Sequence, residues 1–595
     1  MILILYDDKI TMNGFVPKFN ERNGTFYCIS YRTGVFMKKS FTKVLSVFLA
    51  TILAVSVLFA MPATAVNELD AQDRIQRVTI AEDRYSTEVR DSFSKGFFNI
   101  LEKALMLIVK SLSLTFATPD TWVDLEDYVP SQFYAGNDTF IDAPAANAKW
   151  NLGYANASML DGMDVIGKYY VAGSIAVGDK FATEVLDDLK VRTIALNDGS
   201  GRGTHLFIVC DSYGLSYTEV QNIRAELADF AEENNILSIN VSVLHQHSAI
   251  DTYGMNGNIF EMVLLNPSRT LFGVEAHNGK NDEFMQNLYK VCKETAIEAV
   301  ANLEPGTLTF AQADVKEFVR DKRDPMVMDN NFNIFAFNPD NAQSNDTYLI
   351  QSPIHCVSYG ASTTTVTGDY PYHVEKYLNE ENVNMFMYMG AQQSTSLARD
   401  EGLGDLVNDT MTDEQKQDLV GQVMSDRVLT AVAGSDIEVN PILNVRIENA
   451  VFKLDNAILA LAGKASMFET EVVKSGFNEY SLVTEIGYVE IGNSFAWTMI
   501  PGELAPELAF GGYLPADVSW SGEDFNNTNL SEIVGEERYV LPMGLCNDQI
   551  GYIIPDNNYM SLIAEESDSL EFVSIGINTA STLLASFKAL VDSVR

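Results

Sequence analysis

Apolar positions along the chain follow two periods, and the switching between them predicts its elements. Tyr169 to Val177, Val191 to Leu196 and His205 to Cys210 are short strand-like runs, with a hairpin turn predicted at Gly199-Ser200-Gly201. Ser216 is placed to cap a helix over 217–234, whose apolar face carries Val220, Ile223, Leu227 and Phe230. A run of β-branched residues and leucine, Ile236 to Leu244, predicts a buried strand, and a clear helix follows over 284–302. Further strand-like runs are Tyr348 to Ile354, Ser494 to Ile500 and a short piece at Tyr552-Ile553. A closing helix is predicted over 579–594, with Leu583, Leu584, Phe587 and Leu590 on one face. Between 118 and 165, Pro, Asp, Asn, Gly and Tyr dominate, which predicts long loops and an ordered domain that begins near Tyr169. Strand alternating with helix predicts an α/β protein: mixed α+β layers, a mixed β-sheet and flanking helices.

The N-terminal pattern is of another kind. Met37-Lys38-Lys39-Ser40-Phe41-Thr42-Lys43 is basic, Val44 to Ala60 is weakly polar to apolar, and Ala63-Thr64-Ala65 is a small-x-small cleavage pattern. Together they predict a secretory signal and a secreted or cell-surface protein, an uncleaved N-terminal anchor being the other reading. Residues 1–36 read as a start called too early, so 1–65 is set apart from the fold. The expected organisation is then a leader over 66–165 and one large domain over 166–595. Within the leader, Gly96 to Leu114 has apolar positions at helical spacing around Lys103 and Lys110. Such a helix touches lipid, as a peripheral membrane contact, or packs on its own domain.

Composition narrows the function. Hydrophobic residues make up 47% of the 595 and fit a folded protein, while a formal net charge of −41 argues against nucleic acid as a partner and against adhesion to anionic lipid by charge alone. Cys210, Cys292, Cys356 and Cys546 are scattered without a C-x-x-C pair, so neither a zinc ribbon nor a disulfide scaffold is indicated.

Candidate chemistry begins at His245-Gln246-His247, which holds two of the six histidines. If the preceding strand persists, residues two apart share a face, and both imidazoles look the same way from the strand's C-terminal end. Two neutral imidazoles there form half of a zinc site; the other reading is one hydrogen-bonded core histidine and one surface histidine. His355 again ends a strand-like run, and Pro501-Gly502-Glu503 puts a carboxylate in a turn after another. Alone, Glu503 reads as a turn residue, Tyr552 as a packing residue and Asp369 as a turn or cap carboxylate.

Together these stretches resemble the catalytic domain of the neutral (non-lysosomal) ceramidase family, over roughly residues 165–565. His245-Gln246-His247-Ser248 is similar to that family's T-H-T-H-S-G-P, and His355-Cys356-Val357-Ser358, followed by Gly368-Asp369-Tyr370, to its H-x-V-S and S/G-D-N. Pro501-Gly502-Glu503-Leu504 fits P-G-E-F/L, and Cys546-Asn547 through Tyr552 has the spacing of A-N-x-x-x-x-Y. The resemblance implies an N-terminal catalytic domain that binds Zn²⁺ through His245, His355, Glu503 and Tyr552, with His245 and His247 interchangeable as ligand. It implies His247 as general acid/base, and Tyr559 or Ser394 as stabilisers of an oxyanion. Arg323, in Arg323-Asp324-Pro325, stands for the family's R-S-P arginine.

The chain departs from the pattern at Ala249-Ile250, where the family has Gly-Pro. It departs again in Ala391 to Ser396, where Gln393 takes the position of a serine and Ser394 lies one place over. The family's C-terminal immunoglobulin-like domain is expected to be absent. The implied activity is a zinc-dependent amidohydrolase acting on an N-acyl bond in a small amphiphilic or lipid-like substrate. Hydrolysis of an ester at the same site, and a ligand-binding protein without catalysis, are the alternatives.

Overall fold

The computed structural model describes residues 2–6, 9–20, 25–35, 78–81, 92–114, 116–173, 179–254, 256–257, 278–408, 410–465, 470–535, 537–562 and 570–595. Ile2–Tyr6, Lys9–Asn20 and Thr25–Val35 form an antiparallel sheet within a unit of their own, residues 1–65. The predicted signal lies outside the described residues. Everything below concerns the second unit, residues 66–595.

After helix α1 (Ser92–Ser113) comes a nine-stranded sheet. Its strands are β1 (Trp150–Ser158), β2 (Lys190–Asn197), β3 (Thr204–Cys210), β4 (Ile236–Val243), β5 (Glu304–Asp314), β6 (Asn331–Pro339), β7 (Asp346–Ser352), β8 (Val383–Met389) and β9 (Ile437–Glu438). In space they run β8-β7-β6-β5-β1-β2-β3-β4, with β9 on β5. Only the two end pairs, β3–β4 and β7–β8, are parallel. Parallel neighbours need a crossover, and each has a helix in it: α2 (Tyr217–Glu233) and, after α3 (Asp282–Ala301), α4 (Asp369–Glu380). Helices α5 (Asp413–Ala433) and α6 (Ala457–Lys464) lie later in the chain. A second sheet holds β10 (Leu443–Lys453), β11 (Val472–Gly476), β12 (Glu479–Ile491) and β13 (Phe495–Met499); beyond the pair-forming β14 (Glu503–Leu504), β15 (Tyr539–Met543) completes it. β16 (Tyr552–Ile553) lies parallel to β14, and α7 (Thr579–Val594) closes the chain.

Strand alternation explains the layers. On β3, Phe207 meets Trp497 of β13 at 5.2 Å between ring centroids, whereas Cys210, on the opposite face, meets Cys292 of α3 with sulfurs 3.8 Å apart. Phe335 and Tyr388 also reach Trp497, and Phe587 of α7 packs on Tyr488 of β12. The fold is therefore α/β with mixed sheets stacked face to face and helices outside them. All four of these cysteines are buried and free.

The helices predicted over 217–234, 284–302 and 579–594 form almost as expected, and Ser216 accepts a cap bond from Glu219 N. Two strand expectations change. The stretch predicted as loops contains β1, a central strand. Its Gly153 lies so close to α3 that a Cβ there would stand 2.0 Å from Ala299 O, which accounts for a glycine in the middle of the strand. Of the strand predicted over 169–177, the described part, 169–173, makes only isolated bridges, Tyr170 to Phe181 and Val171 to Ile250.

The first sheet curls until its outer strands approach one another. Tyr154 of β1 donates to Met385 O of β8, and β8 passes against β2, β3 and β4. Residues 544–547 fill the seam. Gly544 N donates to Met389 O at 2.9 Å, Asn547 N donates to Val241 O at 2.7 Å, and Asn547 Oδ1 accepts from Val241 N at 2.9 Å. Asn547 Nδ2 then reaches Glu485, whose carboxylate is held bidentately by Arg224 of α2. Asn547 adopts φ +63°, a conformation asparagine tolerates better than alanine. Replacing Asn547 by alanine is expected to destabilise the fold by about 2–3 kcal/mol, from the orphaned Val241 N–H and Glu485 oxygen. Asn547→Gly, which relieves only the backbone, should recover about 1 kcal/mol of that in urea unfolding.

Candidate metal centre

The histidines come from opposite ends of the curled sheet. β4 stops at Val243, and His245 takes φ +53°, so strand alternation does not place the two imidazoles as expected. A left-handed turn converges them instead, with ring centroids 5.0 Å apart. His355 follows β7, and its loop is tied to theirs where His247 N donates to Cys356 O. Buried Asp369 fastens the same loop by accepting from Ser358 N and Ser358 Oγ. His355 lies 4.6 Å from His245 and 4.9 Å from His247 between centroids, and all three rings are buried.

Each ring is anchored on a backbone carbonyl. His245 Nδ1 donates to Tyr213 O at 2.6 Å, His247 Nδ1 donates to Gly173 O at 3.0 Å, and the His355 ring bonds the carbonyl of Gln392. A carbonyl can only accept, so Nδ1 carries the proton in His245 and His247, and a neutral ring turns a bare lone pair outward at Nε2. Burial, joined by the charge of neighbouring imidazoles, holds His245 and His355 well below the usual imidazole range; burial, with Lys180 and Lys322 pressing the same way, brings His247 to about 4. The rings are therefore neutral near pH 7.

The remaining ring nitrogens lie close together. His247 Nε2 stands 2.8 Å from His355 Nε2, and His245 Nε2 stands 3.3 Å from Glu503 Oε2, with neither of the latter atoms in a hydrogen bond. Glu503 Oε2 is also 3.8 Å from His355 Nδ1, and burial raises its carboxyl well above the usual range. A shared proton relieves one such pair; a cation relieves all of them. Candidate ligand atoms of His245, His247 and His355 lie within 4.8 Å of one another, so the three could hold a metal ion.

Glu503 and Tyr552 sit side by side, as directly paired residues of the two-residue strands β14 and β16. Burial and the nearby Glu503 raise the Tyr552 hydroxyl well above the ordinary phenol value. Gln549 donates to Glu503 Oε1 at 3.3 Å. The remaining predicted residues fall in other surroundings. Ser394 bonds Asp321, whose buried carboxyl is pushed up to about 6. Arg323 donates to Asn558 O and forms a buried ion pair with Glu571 at 2.5 Å, and Tyr559 donates to Glu571 O.

Sequence reasoning missed Tyr213, which stacks on His245 at 4.5 Å and meets His247 edge-on at 5.1 Å. It also missed the anchoring carbonyls, which leave no side-chain signal. Gln392 and Gln393 went unassigned as well: the Gln393 N–H donates to Leu504 O, beside Glu503, and both side-chain amides are buried with Nε2 in no hydrogen bond.

No family model matches the sequence, and no curated protein matches it. The fold is similar to the crystal structure of neutral ceramidase from Pseudomonas aeruginosa, with a TM-score of 0.55 at 12% identity over 75% of this chain and 74% of that one. It is likewise similar to a structure described as ceramidase complexed with C2, with a TM-score of 0.55 at 11% identity over 76% of each chain. At these identities the likeness is one of fold.

Gly173 tests the anchoring. It adopts φ +95°, and a Cβ there would stand 2.7 Å from His247 Cβ. Gly173→Ala is expected to displace His247 and, with His247 as the proton-exchanging group, to leave metal affinity within about tenfold of the parent, read by competition with a chromophoric chelator. A loss of about 100-fold or more would make His247 a ligand in place of His245.

Proposed function

We propose that the chain is an exported zinc-dependent hydrolase of the neutral ceramidase type, which cleaves the amide bond of a lipid-like or other amphiphilic N-acyl substrate with water. The observation that carries this reading is the convergence of three buried imidazoles, two of them beside the buried Glu503 carboxyl. The fold similarity to neutral ceramidase from Pseudomonas aeruginosa supports it, as do the motifs that contain His245, His355, Glu503 and Tyr552.

The donors suit the ion. Imidazole nitrogens with carboxylate and phenol oxygens form a borderline-to-hard set appropriate to Zn²⁺. When bound, zinc supplies Lewis acidity, which polarises an amide carbonyl and makes water a stronger acid. The protein's own part is orientation and proton transfer. Tyr213 O and Gly173 O fix the tautomers and the ring planes, so no reorganisation is needed when substrate arrives. With His245, His355, Glu503 and Tyr552 as ligands, His247 is the group that exchanges a proton. Its Nδ1 is committed to Gly173 O, so Nε2 is the atom that would take a proton from water and return it to the leaving amine.

A second reading, ligand binding without turnover, is favoured by Gln393 at the position that matches the family's serine. Elemental analysis after zinc loading is expected to give about one zinc per chain, lost in His355→Ala and in Glu503→Gln. A panel of N-acyl amides and matched esters should then show amide cleavage that falls by about three orders of magnitude or more in the same variants. No zinc in the parent protein would overturn the metal reading; full zinc with no turnover on any amide or ester would leave the binding-protein reading.

A further inference from the structure

Helix α1 is apolar on two sides. Phe98, Leu105, Met106, Val109 and Leu112 turn toward the domain, half-buried or buried, and α1 packs on α6. The opposite side is also apolar and faces solvent: Phe97, Ile100, Leu101, Leu107, Ile108 and Leu114 fall on one stripe, with the small Ala104 and Ser111 at the positions between them. Exposure of 72% at Ile100, 67% at Leu107 and 62% at Leu114 separates this stripe from scattered surface leucines. Its polar border also differs from the rest of the chain. Against a net charge of −41, α1 has three lysines and one acidic residue, Glu102, which turns toward Ser561. Lys103 and Lys110, seven residues apart, are exposed along one edge of the stripe.

A second bare apolar group lies near the lysine edge of the helix. Phe477, at the tip of the β11–β12 hairpin, is 95% exposed and lines a cleft together with Lys110 and Ser113 of α1. A bare aromatic on a hairpin tip beside an apolar stripe edged by lysines matches the layering of a bilayer surface. Acyl chains cover the apolar side chains, and lysine ammonium groups reach the headgroup phosphates. Among the described residues, no helix is long and apolar enough to cross a membrane, so α1 would lie in the plane of the interface.

We propose that α1 and Phe477 form a docking surface for a lipid bilayer. Apolar burial drives the contact, and the two lysines fix which way the helix rolls. The overall negative charge works against adhesion by electrostatics alone, so binding should persist on neutral lipid and in high salt. The surface lies outside the metal centre and does not depend on the hydrolase reading.

The test is co-sedimentation of the full chain with phosphatidylcholine vesicles, beside the variants Ile100→Asn/Leu107→Asn and Phe477→Ser. Circular dichroism and zinc content would verify folding. The parent protein is expected to bind, the double variant to bind about tenfold more weakly or worse, and Phe477→Ser to fall between them. Equal binding by parent and double variant would place membrane contact elsewhere in the chain and overturn the proposal. So would absence of vesicle binding, including the case in which the parent self-associates in sedimentation velocity and the double variant does not, which would assign the stripe to a second copy.

Discussion

The candidate centre depends on closing a seam. His245 and His247 follow one outer strand of the first sheet and His355 follows the penultimate strand at the other end, separated along the sheet by most of its width. Curling brings the outer strands together, and four residues, 544–547, join them. Gly544 bonds β8, and Asn547 pairs with β4 through both its backbone and its side chain. The same segment steers the carboxylate, because Leu545 N donates to Gly502 O, immediately before Glu503. Arg224 and Glu485, fully buried and bidentate, hold the Asn547 amide in the one orientation that satisfies Val241 N. Such a pair contributes little net stability compared with apolar packing, but either partner alone would be a stranded charge. Its value here is directional.

Burial gives the centre its chemistry at an energetic cost. Three imidazoles and a carboxylate have been taken out of water with only part of their hydrogen bonding satisfied, and the unfolded chain would solvate all of them. A cation that bound only the assembled set would stabilise the fold by mass action, which would link folding to metal affinity. The neighbouring predicted residues show how a similar cost is met without an ion. Arg323 pairs with Glu571, whose Oε1 also accepts from Met560 N, so one buried charge offsets another.

Much of the fold was legible because periodicity and burial agree. The helix over 579–594 shows its apolar face in sequence as in space, and Ser216 caps where it was placed. β1 was not legible, because its partner α3 demands a glycine where a strand would normally show a branched side chain. At the centre, the histidines were readable as a pair, but the reason for their meeting was not: a left-handed residue at 245, rather than strand alternation, brings the rings together. Glu503 and Tyr552 came forward only through the resemblance to ceramidases, since a parallel pairing of two residues leaves no periodic trace. Tyr213, Gly173 and Gln392 act through main-chain carbonyls, which any residue carries.

That reliance on main-chain anchors bears on how the centre can vary. The carbonyls that fix the three rings belong to three separate segments, at 173, 213 and 392, and none lies on the segment of the ring it holds. A side-chain anchor can be exchanged by one substitution; a carbonyl can be moved only by moving backbone. Ring geometry is therefore conditioned on the packing of the whole curled sheet rather than on a local motif. At the Ala249-Ile250 departure the contact is again a main-chain one: Ala249 O accepts from Ala172 N and so positions the segment that carries Gly173. Gln392 is subject to the same constraint from the other side. Its carbonyl holds His355 while the next residue's N–H holds Leu504, so the segment that departs from the ceramidase pattern in its side chains is fixed through its backbone. Side chains at 392 and 393 can therefore differ from the ceramidase pattern without moving the backbone that holds His355.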